Sequence, residues 1–169
     1  VELQMTFVIE DAPLVADRAA ALGCAVPEGL ALLPLNFETA ESADEFLYDS
    51  PAATVRTLFR TNQIPLQDIL PQGTPRRHLS YKNADWIGPT LFVGAALLSD
   101  NGNLLSLALG VISNYLTDFF RGMGKPPVIK MDFVIEQTPD KTCKRLKFEG
   151  TPEGLAALPE TIRAMANEQ

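Results

Sequence analysis

Two short stretches of this 169-residue chain occur twice, and they restrict its architecture more than any other feature. PEGLALLP, residues 27 to 34, returns as PEGLAALP, residues 152 to 159, with one difference. MTFVIE, residues 5 to 10, returns as MDFVIE, residues 131 to 136. The two matches lie on offsets of 125 and 126, so a one-residue slip joins them. They read as two copies of one unit, residues 1 to 34 and 128 to 159, flanking a different segment at 38 to 120.

In the first unit Val1, Leu3, Met5, Phe7 and Ile9 alternate with Glu2, Gln4, Thr6 and Glu10. In the second, Ile129, Met131, Phe133 and Ile135 alternate with Lys130, Asp132, Val134 and Glu136. Period-two alternation predicts a strand with one buried face in each unit. TPDKT, residues 138 to 142, is a turn cluster, and Leu146 and Phe148 after it complete a hairpin. The first unit differs there: Leu14, Val15, Arg18, Ala19 and Leu22 in an alanine-rich run predict a helix. Each octapeptide reads as a short helical turn closing a sheet edge, with Pro27 or Pro152 at its first position and Pro34 or Pro159 ending it. Thr151 can cap the second copy, whereas Val26 offers the first no side-chain acceptor.

Between the units, ETAESADEFLYD (38 to 49) places Ala40, Ala43, Phe46 and Leu47 on a stripe opposite Glu38, Glu41, Asp44 and Glu45, predicting an amphipathic helix with an acidic face. The acids lack the spacing of a calcium loop. A second helix is expected from Ser50 as cap and Pro51, with Val55, Leu58 and Phe59 inward and Arg56 and Arg60 outward. Residues 74 to 86, TPRRHLSYKNADW, are the one locally basic, aromatic stretch. Arg76, Arg77, His78, Tyr81, Lys82 and Trp86 are the candidate ligand-binding residues there, set against a plain polar loop.

Residues 90 to 120 are the most apolar part. Their longest uncharged run, Asn101 to Thr117, contains three asparagines, two serines and a threonine, so a membrane span is not expected. They read as two helices joined at SDNGN, the second beginning at Asn103 with Leu104, Ala108, Val111, Ile112, Tyr115 and Phe119 along one side. Ser106, Gly110, Ser113 and Thr117 form a stripe of small residues that admits a neighbouring backbone, either the preceding helix or another chain, including a second copy.

A formal charge of −7 opposes binding to phosphate backbones, so nucleic acid is not an expected partner. Cys24 and Cys143 without a CxxC pair, and a lone His78, predict buried thiols and no zinc site or other metal or cofactor. RGMGKPP (121 to 127) fails as a phosphate loop, since Pro126 stands where Ser or Thr is required. No catalytic constellation emerges, and any nucleophilic triad would have to run through His78. Val1 in place of methionine reads as a trimmed start that leaves targeting unreadable, with cytoplasm as the default expectation.

These observations predict a single α+β domain, an antiparallel sheet with helices on one face. The leading functional expectation is a non-enzymatic interaction protein (an adaptor, regulator or immunity-type inhibitor). It would hold another, basic, protein through Glu38, Glu41 and Glu45 and through the small stripe of the 103 to 120 helix. The alternative is a small-molecule binder or hydrolase-like enzyme centred on residues 74 to 86.

Overall fold

The computed structural model describes residues 5–80, 85–122, 128–137 and 140–167. Six strands form the main sheet: β1 (Met5–Ala12), β2 (Leu30–Leu33), β5 (Trp86–Ile87), β6 (Thr90–Val93), β7 (Ile129–Glu136) and β8 (Cys143–Gly150). Their order is β1-β8-β7-β6-β2, with β5 also on β7. Antiparallel pairing joins β1 to β8, β8 to β7 and β6 to β2, while β5 and β6 run parallel to β7. Two short strands, β3 (Leu47–Asp49) and β4 (Arg77–Leu79), pair in parallel as a separate sheet. The helices are α1 (Val15–Ala21), α2 (Ser50–Thr61), α3 (Ala95–Asp100), α4 (Gly102–Phe120), α5 (Pro152–Ala156) and α6 (Pro159–Ala166). The fold is mixed α+β. α5 lies against β8, α6 lies against β7, and α4 packs across both of these helices.

The expected hairpin is β7–β8, although Thr138 and Pro139 of its turn lie outside the described residues. The expected alanine-rich helix is α1. It ends in a Schellman arrangement in which Cys24 N donates to Ala19 O at 2.8 Å and Gly23 N to Ala20 O at 3.1 Å. Gly23 makes this possible with a φ of 72°, a conformation that a side chain disfavours. The C-terminal segment is helical as α6, burying Ile162, Met165 and Ala166. Both thiols are free and buried. Among the described residues, no helix is long and apolar enough to cross a membrane.

The repeated sextets occupy unlike places. β1 and β7 flank β8, so that Phe7 and Met131 both stand opposite Phe148. Along one row of the sheet, Leu32, Leu91, Phe133 and Leu146 are at most 3% exposed, yet Ile9 at the end of that row is 45% exposed. The buried layer stops at β8, which leaves β1 at the rim. The alternation in β1 was legible, but on its expected buried face Phe7 and Ile9 are exposed, Met5 is half-buried against the core, and Val1 and Leu3 lie outside the described residues; burial depends on a covering layer that periodicity does not report.

The octapeptides diverge further. The second copy is helical as α5, with Thr151 Oγ1 accepting from Gly154 N at 3.1 Å, a cap of a kind that contributes about 1 kcal/mol. The first copy is no turn; Leu30–Leu33 is strand β2, paired with β6. Two differences explain this. Without a cap at Val26, the amides of Glu28 and Gly29 donate to the Gln67 side chain, both at 2.7 Å. The single substituted position is Leu32, buried opposite Leu91, where the other copy has the exposed Ala157. The recurring words therefore do not form a repeated structural unit.

The acidic helix predicted over 38 to 49 does not form. Its apolar positions Ala40, Ala43 and Phe46 are buried as expected, but the chain runs through a 3-10 turn at Ala43–Glu45 into β3. Local side chains outcompete the helix: Glu45 Oε2 accepts from Glu41 N and Ser42 N, and Asn36 accepts from Leu47 N and donates to Glu45 O. The apolar segment breaks at Asn101 as expected, yet its first residues, Thr90–Val93, are strand β6 rather than helix. α4 begins at Gly102 rather than at Asn103. It buries Leu105, Ala108, Leu109, Ile112, Ser113 and Leu116, one step round from the expected stripe, so that Phe119 is exposed.

Candidate functional site

The α2 helix places Arg56 and Arg60 one turn apart on one side, as its sequence predicted, but that side is not open solvent. A cleft of about 350 Å³ lies beside it, with Leu32, Tyr48 and Ile64 as apolar wall and Arg56, Arg60 and Arg76 as cationic wall. Leu66, Gln67 and Asp68 complete the lining among the described residues.

The guanidinium of Arg56 stacks on the Tyr48 ring, 4.5 Å from its centroid, and its Nη1 lies 3.3 Å from Nε2 of His78. The β3–β4 pairing places Tyr48 beside His78, with ring centroids 6.2 Å apart. Arg76 forms an ion pair with Asp68, whose other oxygen accepts from Leu70 N at 3.1 Å. Arg60 has no ion pair among the described residues and extends into solvent.

The electrostatics of the site are set first by burial and then by the neighbouring arginines. Burial and then the nearby Arg76 lower the pKa of Arg56; burial and then Arg56 and Arg76 lower that of His78, which favours the neutral ring that can accept from Arg56. Burial pushes the Tyr48 hydroxyl up to about 12, keeping it protonated. At the foot of α2, Asp49 is only 1% exposed and its Oδ2 has no hydrogen-bond partner among the described residues. Burial pushes this carboxyl up to about 6, against the opposing influence of the Ala52 and Asp49 amides and of Arg56.

Of the basic stretch proposed from sequence, Arg76 lines the cleft and His78 adjoins it through Arg56. Arg77 turns to a different depression that it shares with Glu41 and Glu45. Trp86 is buried in the main sheet, and Tyr81 and Lys82 lie outside the described residues. The sequence reading missed Tyr48, Arg56 and Arg60 as site residues. The i, i+4 arginines were visible; the wall opposite them, built by residues 64–76, was not.

The other candidates are spread apart. Glu38 joins Asp132 in holding Arg145, at 2.8 and 2.9 Å. Glu45 is occupied by backbone amides, and Glu41 is exposed. On α4, Ser106 accepts from Arg163 of α6 at 2.9 Å, and Ser113 donates to Pro152 O of α5 at 2.8 Å. Thr117 donates to Ser113 O within the helix, while a Cβ at Gly110 would meet nothing within 4 Å. The small stripe thus packs in part against the chain's own helices.

Among the described residues, the cleft lining contains no Ser, Thr or Cys; it offers guanidinium donors over an apolar wall. Among the described residues, no group of three or more His, Cys, Asp or Glu could hold a metal ion. No protein-family model matches the chain, and no curated protein or solved structure is significantly similar to it.

Proposed function

We propose that this chain is a non-enzymatic binding protein whose site is the arginine cleft and whose ligand is a small organic anion bearing carboxylate or phosphate groups. The observation that carries this reading is an imbalance of charge. Among the described residues, three guanidiniums open onto one cavity, and the single carboxylate in its lining, Asp68, is already engaged by Arg76. An anion entering the cleft would meet Arg60 first and Arg56 deeper in, where partial burial strengthens each charge-assisted hydrogen bond. The volume is at the lower end of the range for small-molecule sites, and Leu32, Ile64 and the Tyr48 ring supply an apolar wall.

Calorimetric titration with citrate, inorganic phosphate and a nucleoside monophosphate tests the assignment. At least one is expected to bind at low salt, and Arg60→Ala is expected to weaken it by about 10- to 100-fold. The Arg60 side chain is exposed and has no ion pair among the described residues, so the variant should keep the fold. Absence of binding by all three probes, or binding indifferent to Arg60→Ala, would remove the reading.

A second reading, an interaction protein that holds a basic protein partner, retains support from Glu41, the member of the acidic trio that is exposed and not engaged through its side chain among the described residues. Capture of a partner from the source cell that is abolished by Glu41→Lys, while Arg60→Ala leaves it intact, is the result this reading expects. Retention of the same partner by both variants counts against it.

A further inference from the structure

The two ends of the main sheet are treated very differently. At one end β2 is only four residues long and its outer edge is covered, with Gln67 N donating to Leu30 O at 2.8 Å and Ala31 bridged to Gln67. At the other end β1 runs for eight residues in unbroken register with β8, from Met5 opposite Gly150 to Ala12 opposite Cys143. No strand lies on its outer side among the described residues. Proteins ordinarily protect such an edge with lysine, proline, a bulge or a covering segment, because its free N–H and C=O groups template further pairing. Met5–Ala12 contains neither lysine nor proline, and its register has no bulge. Phe7, Val8 and Ile9, three consecutive apolar residues, are 40%, 60% and 45% exposed on its two faces.

We propose that β1 is a dimer seam, along which two copies of this chain pair β1 to β1 in antiparallel fashion about Val8 and so extend the sheet from one molecule into the next.

The charges favour this occupant and orientation. The acids of β1 are already neutralised across the strand pair, Glu10 by Lys147 at 3.3 Å and Asp11 by Lys144. The edge therefore presents no unanswered charge to a second copy. Parallel pairing in register would set Glu10 beside Glu10 and Asp11 beside Asp11, an unfavourable arrangement of like charges. Antiparallel pairing about Val8 sets Phe7 opposite Ile9 of the second copy, Thr6 opposite Glu10, Met5 opposite Asp11, and Val8 opposite itself. No two acids meet, and each contact except the Val8 pair on the axis occurs twice, as two-fold symmetry requires. The row Leu32, Leu91, Phe133, Leu146, Ile9 would then continue into Phe7 of the second molecule, giving the exposed end of that row an apolar neighbour.

The arginine cleft plays no part in this arrangement, so the two proposals can fail separately. Light scattering on the whole chain over a wide concentration range should show a dimer, and Val8→Lys should shift it to monomer without altering the circular dichroism spectrum. The register is tested by crosslinking. Val8→Cys would place two thiols on directly opposed residues, within the Cα separation that a disulfide spans, and should give a covalent dimer on mild oxidation. Thr6→Cys should not, because its copies would stand four residues apart along the seam, about 13 Å, too far to bridge. A chain that is monomeric throughout, a dimer that survives Val8→Lys, or equal crosslinking by both cysteine variants would overturn the proposal. So would a monomer whose β1 instead takes up a strand of an unrelated protein.

Discussion

Gly94→Ala is expected to destabilise the fold by about 3 kcal/mol or more, seen as a large fall in the urea midpoint of unfolding. Gly94 joins β6 to α3, and the chain passes so close to the first octapeptide that a Cβ there would stand 2.0 Å from Glu28 O and 2.6 Å from its carbonyl carbon. Those are backbone atoms, so no side chain can rotate out of the way. Gly94 N also donates to Gly29 O at 2.9 Å, which locks the two segments at that separation. Making room would pull β2 from β6 or tilt α3, whose first amide, Ala95 N, is held by the buried Glu136 at 3.1 Å. Gly110→Ala is the matched control. It lies within α4, with nothing within 4 Å of the added carbon, and should be neutral or stabilise by up to about 1 kcal/mol. Equal effects at the two positions would show that close approach is not what Gly94 provides.

Asp49→Asn is expected to stabilise the protein near neutral pH and to have little effect in acid. The unfolded chain releases this proton near 3.8, whereas the folded chain keeps it until about 6. Between these values the folded state binds more protons, so the contribution of this group to stability is fully present below 3.8 and is lost as pH rises through 6. A shift of about two units corresponds to roughly 3 kcal/mol of penalty once the carboxylate is charged. Asparagine keeps the shape and one side-chain oxygen while removing the charge. The variant should therefore gain roughly 1–3 kcal/mol near neutral pH, with its stability curve flattened between 4 and 6. Denaturant unfolding at a series of pH values reads this directly; parallel curves for parent and variant would mean that Asp49 is not the group responsible.

What the sequence revealed and what it concealed differ by range. The β7–β8 hairpin, α1, α2 and the break at Asn101 each depend on signals a few residues apart: alternation, an alanine-rich run, a proline in the first turn, an asparagine-glycine cluster. All of these were legible. The acidic segment misled because Ala40, Ala43 and Phe46 have a spacing that suits a helix and equally suits an irregular loop pressed onto a core. Asn36 and Glu45 decide between them through hydrogen bonds that periodicity does not register. The exposure of β1 could not be read from Phe7 and Ile9, since Phe133 and Ile135 carry the same letters in the same order and are buried. For the candidate site, the chemistry of Arg76 and His78 was visible and its location was not. The cleft forms where α2, β2 and β3 meet residues 64–76, so two of its three arginines, Arg56 and Arg60, lie outside the basic stretch at 74 to 86.

The two octapeptides also differ in when their structure can be decided. α5 is settled by a cap three residues from the amide it holds, so its conformation is specified as soon as that stretch of chain exists. β2 is specified by Gln67, 38 residues from Gly29, and by β6 further along still. One wording thus has a low contact order at its second occurrence and a high one at its first. The entropic cost of closing a long loop falls on the copy whose own residues are nearly silent about the outcome.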